Sequence, residues 1–166
     1  MTADVPAEIA AAFERHEEYR QDGSKFTLST TAFEGTVQVR STGDTPTYTV
    51  TVHVPSLASV TVEEVGEAVV SGWLDTLERR LEDAPKATRT VVELDGFEVE
   101  PVGEDVRIEY TFSYRDPEMA ADIAKTFVEY VEGTYVEGVI PGYEYESPVA
   151  DLLSAASQGD DYGTPL

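Results

Sequence analysis

Two segments of the chain alternate strictly between apolar and polar side chains, and this pattern constrains the fold more than any other feature of the sequence. The apolar positions are Tyr48, Val50, Val52 and Val54 in the first segment and Val106, Ile108, Tyr110, Phe112 and Tyr114 in the second. Because successive side chains of a strand point to opposite faces, each segment predicts a strand with one apolar face. Such strands are typical of an antiparallel sheet that helices cover on one side only.

Three segments have the apolar spacing of amphipathic helices. The first is predicted to run from Pro6, in its first turn, to Gly23. The third is predicted to begin at Pro117, with Asp116 as its cap, and to end near Gly133. Helices at both ends of the alternating segments can supply the layer that covers the sheet.

The second helix has the strongest pattern of the three. Thr61 and Glu64 have the spacing of a capping box, which predicts a helix start at this point. Gly66 and Gly72 interrupt the helix, and each costs about 1 kcal/mol relative to alanine. Glycine also lets another element approach closely. The apolar stripe consists of Val62, Val65, Val69, Trp73, Leu77 and Leu81.

Further strands are predicted around residues 26–28 and 37–39 and within residues 89–102. The element order is then α-βββ-α-ββ-α. We therefore expect an α+β fold, a two-layer sandwich in which helices pack on one face of an antiparallel sheet of five to six strands. Residues 1–157 are predicted to form a single domain, and residues 158–166 a mobile C-terminal tail.

Charge sets the environment in which this fold has to be stable. The chain has 33 Asp and Glu against 11 Lys and Arg, a formal net charge of -22 over 166 residues, and only three of the basic residues are lysines. Repulsion on this scale destabilises the compact state in dilute buffer and is screened in molar salt, where the Debye length is about 3 Å. The acids are spread along the chain without a long run, so we expect a halophilic protein that carries its acids as a solvated surface.

Several classes of function are disfavoured by the same composition. There is no cysteine, and therefore no disulfide, thiolate metal site or cysteine nucleophile. No apolar run is long enough to span a membrane, and the basic residues are too scattered for nucleic-acid binding. No phosphate-binding loop or serine elbow motif occurs. We expect no metal, no cofactor, no nucleic-acid or membrane partner and a cytoplasmic location.

The two histidines are the first candidates for acid-base chemistry, because paired carboxylates such as Glu98 and Glu100 are too common in this chain to be informative. His16 is surrounded by Glu14, Glu17 and Glu18, but residues one or two positions apart on a helix do not converge on a shared ligand. His16 is therefore predicted to pair with a helix carboxylate at the edge of the core. His53 falls on the polar face of its strand and is predicted to be exposed, in a polar contact surface. A small-ligand-binding protein or hydrolytic enzyme, using either histidine with carboxylates in a pocket between sheet and helices, remains an alternative.

Aromatic side chains mark the candidate partner surface. Tyr143 and Tyr145 alternate with glutamates between two Pro-containing turns, and Tyr135 precedes them. Tyrosine is common at recognition surfaces because its ring supplies contact area and its hydroxyl supplies direction. The alternative is that these rings fold back over the protein as a lid. Trp73 fits the core stripe of the second helix, and it completes the set of candidate residues with His53.

In composition and general layout over its whole length, the chain resembles the small acidic proteins of unknown function found in haloarchaea. This resemblance implies a salt-adapted protein and carries no catalytic residues. The order of elements is similar to that of type III secretion chaperones and related small α+β domains. That similarity implies pairing through a helix or a sheet edge and the holding of partner peptides.

The sequence therefore favours a non-enzymatic module that binds a protein or peptide, chaperone-like in character and able to form a homodimer. The rival hypotheses are the small-ligand or hydrolytic protein described above and a structural subunit of a complex. An enzyme requires a histidine and an acid that converge in a concave pocket. A binding module requires an exposed apolar patch or an open sheet surface.

Overall fold

A computed structural model describes residues 5–41 and 44–163 of the chain. Its strands form one antiparallel sheet in the order β1-β2-β3-β4-β6-β5, which confirms the predicted α+β class. The strands are β1 (Tyr19–Asp22), β2 (Lys25–Leu28), β3 (Gly35–Arg40), β4 (Thr47–Pro55), β5 (Gly96–Val102) and β6 (Asp105–Ser113). The helices are α1 (Ala7–Arg15), α2 (Leu57–Val60), α3 (Glu67–Leu81), α4 (Pro117–Glu137) and α5 (Val149–Gly163), with a 3₁₀ turn at Ala84–Ala87.

The two alternating segments form the centre of the sheet. β4 and β6 pair along their full length, from Thr47 opposite Ser113 to Pro55 opposite Asp105. Their even-numbered side chains from Tyr48 to Val54 and from Val106 to Phe112 are at most 1% exposed. The odd-numbered side chains point to the opposite face, which no helix covers at these strands. The prediction of one covered and one open face is confirmed.

Helix α4 forms most of the cover. It begins as predicted, with Pro117 in its first turn and the Asp116 carboxylate accepting a hydrogen bond from the Glu118 amide at 3.0 Å. The ring of Phe127 packs on Tyr110 and Phe112, with centroids 4.9 and 5.5 Å apart. The buried side of the helix consists of Ala120, Ala121, Ile123, Ala124, Phe127, Val128, Val131, Thr134 and Tyr135.

Gly35 permits the closest approach between this helix and the sheet. A Cβ atom at this position would lie 2.5 Å from Cγ2 of Val128 and 3.0 Å from its Cγ1, closer than carbon atoms pack. Both residues are buried, and β-branched Val128 has little rotamer freedom in a helix. The absence of a side chain at residue 35 therefore sets how near α4 lies to β3.

The chain leaves its first helix earlier than the sequence predicts. α1 ends at Arg15, and Tyr19–Asp22 forms the edge strand β1, which pairs with β2. Gly23 is not a helix terminus but part of the hairpin turn between these strands, with a φ of +63°. Tyr19 therefore reaches the core from a strand and not from a helix. Its ring lies edge-on to that of Phe13, with ring centroids 4.9 Å apart.

The helix predicted from Thr61 starts six residues later, at Glu67, with Gly66 as its N-cap. Thr61 does not cap it: it forms an isolated bridge with Tyr145. α4 continues through Gly133 to Glu137, and Gly138 is its C-cap. The strand predicted within residues 89–102 is confined to Gly96–Val102.

The C-terminal helix α5 runs from Val149 to Gly163. The predicted mobile tail of residues 158–166 falls partly within this helix, and its last three residues lie outside the described part of the chain. The division into a domain of residues 1–157 and a tail stays a prediction.

We expect Gly35→Ala to lower the free energy of unfolding by about 1–3 kcal/mol, because the added methyl group overlaps Val128. In a Val128→Ala background the same change should cost much less, since the two sites share one space. Urea denaturation in molar KCl measures both values. An equal cost in the two backgrounds would contradict the proposed contact.

Candidate functional site

Two of the predicted aromatic residues meet where α3 crosses the C-terminal half of α4. Trp73 and Tyr135 pack edge to face, with ring centroids 5.7 Å apart. Both are buried, with 5% and 1% of their surfaces exposed. The Tyr135 hydroxyl donates a hydrogen bond to the Pro55 carbonyl at 2.8 Å, which ties α4 to the end of β4. Tyr135 is thus a support behind Trp73 rather than a contact residue on the surface.

The segment that carries Tyr143 and Tyr145 folds back against the connection between α2 and α3. The amide of Glu146 donates to the Val60 carbonyl and that of Val62 to the Glu144 carbonyl, both at 2.8 Å. The Glu63 carboxylate accepts a hydrogen bond from the Glu144 amide at 2.9 Å. Both tyrosine rings are half-buried, and the Tyr145 hydroxyl donates to the Ile140 carbonyl. This folded segment fixes Ile140 beside α3.

An apolar groove opens between α3, the end of α4 and Ile140. Its cavity has a volume of about 350 Å³. Trp73 and Leu77 are nearly inaccessible and form its floor, whereas Val69 is 36% exposed and lies at its rim. We call this surface the α3–α4 groove; it is lined chiefly by Val69, Gly72, Trp73, Leu77, Thr134 and Ile140.

Gly72 gives the groove its depth. A Cβ atom built on this residue meets no other atom within 4 Å, so the space above it is open. The sequence indicated the stripe of α3 and marked Gly72 as unusual, but it did not identify Val69, Leu77 and Ile140 as a binding surface. The missing signal was the position of Ile140, which is set by the long-range pairing of the Tyr145 segment with Thr61.

The groove continues along α4 toward the N-terminus of that helix. A second cavity of about 410 Å³ shares Arg80 and Thr134 with the first, and a third of about 390 Å³ shares Thr126 and Glu129 with the second. The 21 residues of α4 span about 32 Å. The lining changes along this length from apolar at Ile140 to charged in the third cavity.

His16 is paired with a carboxylate, as the sequence predicts. Its Nε2 lies 3.0 Å from Oδ1 of Asp122 on α4. Similar pairs join Arg15 to Glu118 at 2.6 Å and Glu18 to Lys125 at 3.1 Å on either side. The three contacts form a ladder between α1, the chain just after it, and α4. Among the described residues, no hydroxyl group hydrogen-bonds to His16, so the pair lacks a nucleophile.

His53 lies on the open face of the sheet, exposed and opposite Arg107 of β6. It therefore does not join Trp73, Tyr135, Tyr143 and Tyr145, which all lie on the helix side. Among the side chains that the structure describes, no three His, Asp or Glu are placed to hold a metal ion. In the same part of the chain, no helix has the length and apolar character needed to cross a membrane.

Hydrogen bonds from buried tyrosine hydroxyls link the helices to the sheet. The hydroxyls of Tyr19, Tyr110 and Tyr135 donate to the carbonyls of Ala121, Leu81 and Pro55 at 2.7–2.8 Å. Burial raises the pKa of all three well above the usual range, so they remain neutral donors.

Tyr48 differs from these three residues. Burial, together with the nearby carboxylates of Asp116 and Glu8, raises the pKa of Tyr48 to about 12. Its hydroxyl has no hydrogen-bond partner among the described residues, although the side chain is fully buried.

Comparison with known proteins assigns the chain to a family. Its residues 13–155, well over half of the chain, match DUF5813, which is described as a family of unknown function. The chain belongs to this family. No curated protein and no solved structure gives a significant match. The predicted membership of a group of unknown function is confirmed, whereas the haloarchaeal origin and the similarity to type III secretion chaperones stay predictions.

We expect Tyr135→Phe to destabilise the fold by about 1–2 kcal/mol, because the change removes a buried hydrogen bond to Pro55. Tyr48→Phe is the matched control. It removes a hydroxyl that has no partner, and so should be neutral or stabilising. Urea unfolding of both variants in molar KCl tests this, and an equal loss of stability in the two would contradict it.

Proposed function

We propose that the chain is a non-enzymatic binding module that holds an amphipathic segment of a partner protein in the α3–α4 groove. The observation that carries this proposal is the apolar floor of Trp73 and Leu77 under the open space at Gly72. Helix-in-groove recognition uses apolar anchor side chains at helical spacing, which insert into a groove of this kind.

The size of the groove favours a side-chain anchor over a whole small molecule. Its apolar cavity of about 350 Å³ is at the low end for ligand pockets, and it is open along α4 rather than closed. The contiguous cavities extend beside a helix about 32 Å long, which matches a partner segment of several turns. An elongated partner can therefore place anchors in the apolar end and polar groups farther along.

The charged residues around the α3–α4 groove favour particular polar residues on the partner. Arg80 lines the first and second cavities, but four carboxylates surround it: Glu129 and Glu137 line the second cavity, and Asp75 and Glu78 lie on the exposed side of α3. An acidic segment would be repelled by these carboxylates, whereas lysine or arginine beside the anchors would be attracted. We therefore assign the groove a partner with leucine-like anchors flanked by basic residues.

Catalysis is the less favoured function. The His16–Asp122 pair belongs to an ion-pair ladder, and His53 lies on the other face of the sheet. Neither arrangement supplies a nucleophile, a base and a concave pocket together. A structural subunit is a form of the same proposal in which the partner stays bound.

The single tryptophan makes occupancy of the groove measurable. A synthetic helical peptide of leucine and lysine at amphipathic spacing should shift the emission of Trp73 in molar KCl. Gly72→Leu should abolish the shift, because the new side chain fills the groove. It should leave the fold at least as stable, since leucine favours a helix over glycine by roughly 0.5–1 kcal/mol.

Ser71→Leu is the matched control for that experiment. It adds the same side chain at the neighbouring exposed position of α3, which does not line the groove. This variant should bind the peptide as the unaltered chain does. If the peptide causes no shift in the unaltered chain, or an equal shift in the Gly72→Leu variant, the groove is not the binding site.

Salt adaptation is the second part of the proposal. The buried polar side chains among the described residues are three threonines, so no described carboxylate is buried. The total accessible surface of 9807 Å² then gives about 300 Å² for each of the 33 acids. Such a surface is strongly hydrated and repels itself when salt is low. The cytoplasmic location stays a prediction.

We expect the melting temperature to rise by roughly 10 °C between dilute buffer and molar KCl, the equivalent of about 3 kcal/mol of repulsion for a chain of this size. Replacing four exposed acids of the α3 region with their amides should reduce this salt dependence: Glu64→Gln, Asp75→Asn, Glu78→Gln and Glu82→Gln. Thermal denaturation followed by circular dichroism measures both effects. A melting temperature that is independent of KCl would refute the salt-adapted surface.

A further inference from the structure

The sheet face that points away from the helices is a second candidate interaction surface. We call it the outer face; it comprises the alternate strand residues that share a side with Thr49 and Thr51 on β4. One cross-strand row of it pairs Arg20, Thr27, Thr36, Thr51, Glu109 and Glu98, in that order from β1 to β5. Its centre is a patch of half-buried threonines on β3 and β4: Thr36, Thr47, Thr49 and Thr51.

Charge on the outer face is divided between its two edges. The half formed by β1, β2 and β3 carries three basic residues, Arg20, Lys25 and Arg40, and one acid, Asp22. β4 carries no acidic or basic residue other than His53. The half formed by β6 and β5 carries one basic residue against four acids, namely Arg107 against Glu98, Glu100, Asp105 and Glu109. In a chain with threefold more acids than bases, an edge with excess positive charge is unusual.

The basic edge is not neutralised by ion pairs with the described residues. Arg107 on the acidic half pairs with Glu100 and lies 3.6 Å from Glu109. Among the described residues, by contrast, no carboxylate lies within ion-pairing distance of Arg20, Lys25 or Arg40. These three exposed side chains are available to a partner that presents an acidic surface.

We propose that this partner is a second copy of the chain, docked face to face through the outer face. A twofold axis parallel to the strands, between β3 and β4, lays the basic half of each copy over the acidic half of the other. Because rotation about that axis preserves position along the strands, Arg20 of one copy faces Glu98 of the other, in the same row. The threonines of β3 and β4 then meet those of the second copy at the centre. Isologous contacts of this kind are the commonest in homodimers.

The dimensions of the face suit such a dimer. Six strands spaced about 4.8 Å apart make the face roughly 24 Å wide, and the two longest strands, of nine residues at about 3.3 Å each, make it roughly 30 Å long at its longest. Because side chains project from the sheet and add to its flat area, the accessible area of the outer face approaches the ~800 Å² that each partner buries in a standard interface. The surface is distinct from the α3–α4 groove, so this inference does not depend on the proposed function.

Charge-reversal variants test the dimer by sedimentation equilibrium and light scattering, at the lowest KCl concentration at which every variant is folded, so that salt screens the charges as little as possible. Arg20→Glu with Lys25→Glu makes both halves acidic, and Glu98→Lys with Glu109→Lys makes the acidic half basic. Each double variant alone should dimerise at least tenfold more weakly than the unaltered chain. An equimolar mixture of the two should restore the dimer, because each copy then offers the charges that the other needs.

Arg79→Glu with Arg89→Glu is the matched control for the Arg20→Glu, Lys25→Glu variant, because it makes the same change in net charge at exposed positions away from the sheet. It should stay dimeric. Recovery in the mixture also shows that both outer-face variants are folded. A monomeric unaltered chain at its highest soluble concentration would overturn the proposal, as would a dimer that survives both reversals or a mixture that stays monomeric.

Discussion

The fit of α4 onto the sheet is the contact on which the rest of the structure depends. This helix buries nine residues against β4, β6 and their neighbours, and it approaches β3 so closely that only glycine fits at position 35. Its two ends then position the other elements. The N-terminal half holds α1 through the ladder that includes His16 and Asp122, and the C-terminal half holds Trp73 through Tyr135. A shift of α4 would therefore alter both the core and the groove.

One-sided packing has a consequence for where interactions can occur. A sheet that is covered on one side leaves a flat open surface, and helices that cover it leave furrows between their axes. In this chain the α3–α4 groove is apolar at Trp73 and Leu77, whereas the outer face is polar and rich in threonine. The two surfaces differ in shape and chemistry, and they face opposite directions. They are therefore suited to different partners, an inserted apolar segment on one side and a flat, charge-matched surface on the other.

The sequence predicted best where a single local rule controls the structure. Alternation identified β4 and β6, and the Asp116–Pro117 pair identified the start of α4. Prediction from the sequence failed where tertiary contacts override local preference. Thr61 has a capping spacing but pairs with Tyr145, a residue 84 positions away, and α3 begins only at Glu67. Gly133 does not end α4, because the flanking residues Val131 and Tyr135 are held in the core. The groove was not predicted for the same reason, since Ile140 reaches it through a long-range contact.

Acidic composition also changes which residues are informative. The 33 Asp and Glu residues are spread along the whole chain, so a pair of carboxylates does not by itself indicate a functional site. The informative surfaces are those where acidic residues are scarce. At the α3–α4 groove the acids give way to an apolar floor, and along β1, β2 and β3 they give way to Arg20, Lys25 and Arg40. Solubility in salt does not require either exception. The two proposed interactions would account for both, since each exception leaves a surface that a partner would complete.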